Sequence, residues 1–131
     1  MNYSGSTATL GLAFAATGAA FPFFSALLGW VGVFLTGSDT SANALFGTLQ
    51  TVTANRLNMN EILMASANSA GGVMGKMVSL TSVAIAAAAT SLKREDESLL
   101  FRFTIRHSVF LACVIGVVVL FYAYVAPGLA P

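Results

Sequence analysis

Isolated charges cut this sequence into apolar stretches, and most of those stretches are too short to cross a bilayer. No charged residue occurs before Asp39 or after Arg106, and the main charge-free runs are 1–38, 40–55, 62–75, 77–92 and 108–131. A helix that crosses the ~30 Å hydrocarbon core needs about 20 apolar residues. The last run supplies 24, whereas the three middle runs hold 16, 14 and 16. Helices of that size reach only ~21 to 24 Å and stop inside the membrane. With 8% charged residues and a mean hydropathy of +0.81, a bilayer is still the solvent this composition fits.

The same inventory excludes several functions. A net charge of +1 leaves no basic face for nucleic acid, and the Lys and Arg residues from Lys93 to Arg106 are interleaved with Glu95, Asp96 and Glu97. The one cysteine, Cys113, has no disulfide partner, and the one histidine, His107, has no second ligand at metal spacing. Six residues apart at the edge of a span, these two do not form a nucleophile–base pair, so no enzyme is expected. No cofactor or metal is called for. A cleavable signal peptide would carry positive charge ahead of its apolar core, which the first 38 residues lack.

Punctuation divides the long first run. Gly18 and Pro22 mark a break, since proline lacks a backbone donor and clashes with the preceding turn, so residues 1–20 read as the end of a scaffold transmembrane helix. Phe23 to Thr36 is a second apolar piece, Gly37 reads as its C-terminal cap, and Ser38, Asp39, Thr40 and Ser41 offer N-caps for a helix to about Arg56. Residues 21–56 are therefore predicted to form a re-entrant helical hairpin with a polar tip at 37–43. Residues 61–92 read as a discontinuous transmembrane helix broken at 71–76, where three glycines lie within five residues, each costing about 0.8 to 1 kcal/mol relative to Ala. Ser79, Val83 and Ala87, with Ala84 and Ala88, recur at helical spacing and permit close approach of a neighbouring helix. Residues 93–107 are predicted to be a cytoplasmic loop by their positive charge, and 108–131 the last span, with Tyr122 and Tyr124 at the far interface and Pro131 outside. The hairpin then opens outward.

Two motifs need weighing. Ala70 to Met77 imitates a phosphate-binding loop but has Ala70 for its first glycine and Met77 for its Ser or Thr. The tip at Ser38 to Ser41 serves equally as an ordinary helix start, yet an acid within membrane segments is rare and usually functional. Lys76, separated from Glu61 by fourteen uncharged residues, either snorkels along its alkyl stem or faces the interior. Asn43 and Asn68 are amides in apolar surroundings, suited to interhelical hydrogen bonds.

Three stretches carry a resemblance. Phe34-Leu-Thr-Gly-Ser-Asp-Thr-Ser-Ala-Asn-Ala-Leu-Phe-Gly47, then Ala67-Asn-Ser-Ala-Gly-Gly-Val-Met-Gly-Lys-Met77, then Leu100-Phe-Arg-Phe-Thr-Ile-Arg-His-Ser108 resemble the carboxy-terminal region of bacterial L-lactate permeases, in order and with the right gaps. The resemblance implies uptake of L-lactate, and of related 2-hydroxy monocarboxylates such as glycolate, by proton symport in the cytoplasmic (inner) membrane. It also implies an all-α polytopic fold, of which this chain would be the second part of an inverted-repeat transporter. Its partners would be the small carboxylate, protons, the lipid bilayer and the remainder of the permease.

On this reading, helices beginning near Thr40 and Met77 point their N-termini inward, where free amides and partial positive charge favour a carboxylate. Ser38, Thr40 and Ser41 would donate hydroxyls. Asn43, Asn68 and the adjoining Ser69 would read the 2-hydroxyl and carboxylate, and Gly71 and Gly72 would allow close backbone approach. Lys76 would attract the anion, and Asp39 would be the proton-coupling group, taking a proton when a second carboxylate arrives beside it. The competing expectation is a packing or assembly module without its own substrate site, whose polar tips merely cap helices.

Overall fold

The computed structural model describes residues 13–90 and 94–129. Its main helices are α1 (Phe21–Thr36), α2 (Asp39–Arg56), α3 (Glu61–Lys76), α4 (Leu80–Thr90) and α5 (Arg94–Tyr124), with short 3-10 helices at Gly18–Ala20 and Pro127–Leu129. Most of the segment expected to end a scaffold helix, the 91–93 portion of the expected loop and Pro131 lie outside the described residues.

Local chemistry explains the helix ends. Pro22 sits in the first turn of α1, where the missing N–H has no intrahelical partner to lose. Gly37 closes α1 in the left-handed region at φ 70°, and its N–H donates to the Val33 carbonyl at 2.7 Å. Ser38 is extended and its Oγ accepts from the Ser41 N–H, so the turn between α1 and α2 is only Gly37 and Ser38, and the rest of the expected tip is already helical. Asn60 caps α3 by accepting from the Ile62 and Leu63 amides.

Helix α3 runs unbroken through 71–76, where an interruption was expected; the chain leaves helical geometry at 77–79 instead. The glycines are used for packing. A Cβ on Gly71 would lie 1.8 Å from the Ala26 carbonyl oxygen, one on Gly75 2.2 Å from that of Trp30, and one on Gly29 1.8 Å from that of Asn68. The backbones of α1 and α3 thus touch, which offsets the poor helix propensity of glycine in the way small residues do between membrane helices. Among the described residues this pair makes the most extensive interface. Ser108 of α5 pins it from the side, accepting from Trp30 Nε1 at 2.7 Å and donating to the Met74 carbonyl. Phe21, Ala54, Leu63, Met64, Ala67 and Val119 fill the core at the other end.

The stretch expected as a loop is also helical in its described part: α5 begins at Arg94 and continues through the last span. Its 31 residues extend ~46 Å, more than the ~30 Å hydrocarbon core, so the charged first turns form a helical extension of the span beyond the apolar layer. Gly18–Thr36, Glu61–Thr90 and Asp96–Tyr124 are each long and apolar enough to cross a membrane. Helix α2 is not among them, and carries Asp39, Asn43, Gln50, Asn55 and Arg56.

Candidate functional site

The polar residues of α2 meet those of α3 in one connected cluster. Asn43 Nδ2 donates to Asp39 Oδ2 at 3.0 Å and to Ser69 Oγ at 2.7 Å, and Ser69 Oγ donates to the same Asp39 oxygen at 3.2 Å. Asn68 Nδ2 donates to Asn43 Oδ1 at 2.7 Å. The cluster continues inward to Gln50, whose Nε2 donates to Asn68 Oδ1 at 3.1 Å and to the Ser25 carbonyl of α1 at 3.0 Å. Asn68 and Gln50 are fully buried. Two buried oxygens have no hydrogen-bond partner among the described residues: Asp39 Oδ1 and Gln50 Oε1. Leaving such a group unpaired costs about 1 to 3 kcal/mol, more when it is charged.

Gly72 belongs to this cluster and Gly71 does not. A Cβ on Gly72 would lie 2.5 Å from Asp39 Oδ1 and 2.7 Å from Val33 Cγ2, whereas Gly71 faces the α1 backbone. Thr40 and Ser41 are exposed, and the Ser38 hydroxyl oxygen accepts the Ser41 N–H as the α2 cap.

Beside the cluster, two helix N-termini approach each other. Ser79 begins α4, its Oγ accepting from the Ser82 N–H at 3.3 Å. A Cβ on Gly37 would be 2.5 Å from Thr81 Oγ1 and 3.9 Å from Ser79 Cβ, which places the start of α4 against the start of α2. Lys76 closes the same corner: its ammonium donates to the Gly37 carbonyl, the C-terminal end of α1. The second helix start lies at Leu80 rather than near Met77.

Sequence reasoning passed over Gln50 and the hydroxyls of Ser79, Thr81 and Ser82, which form their own hydrogen-bonded group at the α4 start. The Ser-x-x-Ser spacing was a readable cap signal for the latter. Gln50 stood out only as a lone amide among Leu and Thr. A groove of about 620 Å³ runs along the outer side of α2 and α3, bordered by Asn43, Thr51, Glu61, Ser66 and Ser69. A larger cavity lies along the charged turns of α5 and contains none of these residues.

Among the described residues, an all-helical bundle with three membrane-length apolar helices and a polar cluster buried between its helices defines a multi-pass membrane protein. Residues 1–126 match the L-lactate permease family, and the chain belongs to it. It is 56% identical to glycolate permease GlcA of Escherichia coli (strain K12) over 98% of this chain and 23% of that protein. It is 53% identical to the L-lactate permease of the same strain and 52% identical to that of Bacillus subtilis (strain 168), each over 99% of this chain and 23% of the relative. The chain thus spans about a quarter of the length of the curated relatives it matches. No solved structure matches it.

Proposed function

We propose that this chain is a carboxy-terminal part of a permease that takes up L-lactate and glycolate by proton symport across the cytoplasmic membrane. The observation that carries this reading is the placement of Asp39, an acid that among the described residues accepts from Asn43 and Ser69, at a corner where two helix starts and Lys76 meet. Free amides of helix starts and an ammonium attract a small carboxylate. The amides and hydroxyls of Asn43, Asn68 and Ser69 match the donors and acceptors of a 2-hydroxy acid. In this reading α1 and α2 form a re-entrant hairpin, α3 and α4 the two halves of a discontinuous helix, and the other half of an inverted-repeat architecture belongs to the remainder of the permease.

Asp39 is the coupling acid. Two carboxylates sharing a site disfavour double ionisation, so lactate arriving beside Asp39 favours protonation of one of them. Proton and substrate then bind with mutual benefit, and linkage requires the effect to be reciprocal. The test is Asp39→Asn in the complete permease, reconstituted with labelled lactate and glycolate. This neutral mimic retains exchange but loses proton-driven accumulation and pH dependence. Accumulation against a gradient with wild-type pH dependence refutes the role of Asp39.

The close contacts of Gly29, Gly71 and Gly75 favour a second reading, a packing module. It predicts that Asn43→Ala and Ser69→Ala lower stability without changing substrate affinity.

A further inference from the structure

The amide chain that ends on Asp39 has a direction, and a backbone carbonyl sets it. The Ser25 carbonyl can only accept, so the group of Gln50 that meets it at 3.0 Å is the nitrogen, Nε2. The same nitrogen meets Asn68 at 3.1 Å, which obliges Asn68 to present Oδ1 there and Nδ2 on its other side. Asn43 must then accept from Asn68 through Oδ1, at 2.7 Å, and has Nδ2 left to donate to Asp39 Oδ2. Ser69 accepts from Asn43 and so turns its own hydroxyl hydrogen to Asp39 Oδ2. From Gln50 onward the donors run toward Asp39, and two of them, Asn43 Nδ2 and Ser69 Oγ, end on the same carboxylate oxygen, Oδ2.

We propose that Gln50 is a positioning residue for the coupling proton: through Asn68 and Asn43 it keeps donors on Oδ2 of Asp39 and thereby directs the proton to Oδ1. The inference rests on Asp39 being the coupling acid. A proton on Oδ2 would compete with the hydrogens of Asn43 and Ser69 for that oxygen and weaken both bonds. A proton on Oδ1, buried and without a partner among the described residues, displaces neither. The step is the addition of one proton to a carboxylate, giving a neutral acid with its O–H on Oδ1, and its reversal on release. The full burial of Gln50, locked between α1 and α3, holds this polarity through both halves of the cycle.

Helix α5, which packs against α1 and α3, carries its charges between Arg94 and Arg106, and among the described residues none of them bonds to Asp39, Asn43 or Ser69. Helices α1 and α4 contain no charged residue, and the other charge of α2, Arg56, is at its far end. On α3, Glu61 lies in the first turn and is held by Asn55, while Lys76 lies in the last turn and is held by the Gly37 carbonyl.

The experiment compares the pH profile of lactate exchange in proteoliposomes of the complete permease, in wild type, Gln50→Leu, Asp39→Asn and the double variant. Gln50→Glu, nearly identical in shape but unable as a carboxylate to donate to Ser25, is the second variant should the leucine protein fail to fold. Hydrogen bonds to a carboxylate favour its charged form. Freeing the chain to reorient is expected to move the half-maximal pH of exchange toward alkaline by about one unit, a tenfold change in proton concentration. In the Asp39→Asn background, Gln50→Leu moves the profile no further. An unmoved profile in folded Gln50→Leu or Gln50→Glu protein, alongside an altered one in Asp39→Asn, overturns the positioning role alone. So does a shift by Gln50→Leu that persists without the Asp39 carboxyl. A wild-type profile in Asp39→Asn removes the coupling-acid reading, and this inference with it.

Discussion

Gly71→Ala isolates the backbone contact between α1 and α3. The added methyl would lie 1.8 Å from the Ala26 carbonyl oxygen, and restoring an ordinary 3.4 Å contact requires α1 and α3 to part by roughly 1.6 Å. Both partners are backbone, so no rotamer change relieves the clash. Alanine gains about 0.8 to 1 kcal/mol in helix propensity. Against that stand about 1 to 3 kcal/mol for overpacking a filled interface, and about 0.5 to 1.5 kcal/mol for each interhelical hydrogen bond stretched. The bonds at risk are the buried ones from Ser25 Oγ to the Met64 carbonyl and from Gln50 Nε2 to the Ser25 carbonyl, both joining α1 to its neighbours. The net expectation is a loss of roughly 1 to 5 kcal/mol. Gly47→Ala is the internal control, because nothing lies within 4 Å of its Cβ position and only the propensity gain remains. Thermal unfolding of the purified permease in detergent, followed by loss of its monodisperse elution, should place Gly71→Ala well below wild type and Gly47→Ala at or above it. If the two alanine variants melt together, the claim that glycines in α3 serve backbone contact with α1 is wrong.

Other perturbations separate the roles of neighbouring residues. Gly72→Ala should keep most of the stability but depress transport several-fold, because its methyl would lie 2.5 Å from Asp39 Oδ1; wild-type lactate transport in this variant would detach Gly72 from the site. Lys76→Met, which keeps the apolar stem, should weaken lactate binding more than it lowers melting temperature, and unchanged affinity in correctly inserted protein would leave Lys76 only as the cap of α1. Ser108→Ala removes the partner of both Trp30 and the Met74 carbonyl, so stability should fall by about 1 to 3 kcal/mol with little change in substrate affinity; an unchanged melting temperature would deny this pin its structural role. Single cysteines at Leu99 and Ala126, in a permease otherwise free of them, should react with an impermeant maleimide from the cytoplasmic and outer sides respectively, and labelling of both from one side would reverse the orientation taken from the positive charges.

The features readable along the chain were those set by near neighbours. Gly37 as a cap, an N-cap for α2 among Ser38 to Ser41, and the apolar lengths of α1 and α5 each follow from residues within about one or two turns of one another. The meeting of Asp39, Asn43, Asn68 and Ser69 was legible only as a set of polar residues in apolar runs, with no sign of which would touch. Contacts between helices decided the rest. Gly71 and Gly72 looked like a break because glycine is a poor helix former in isolation, but the facing carbonyl of Ala26 makes the absent side chain the condition for α1 and α3 to touch. Gln50 gains its meaning from Ser25, 25 residues before it, and Asn68, 18 residues after it. Which oxygen of Asp39 is paired depends on that chain of amides, because hydrogen-bond direction is a property of the assembled network and no spacing along one helix encodes it.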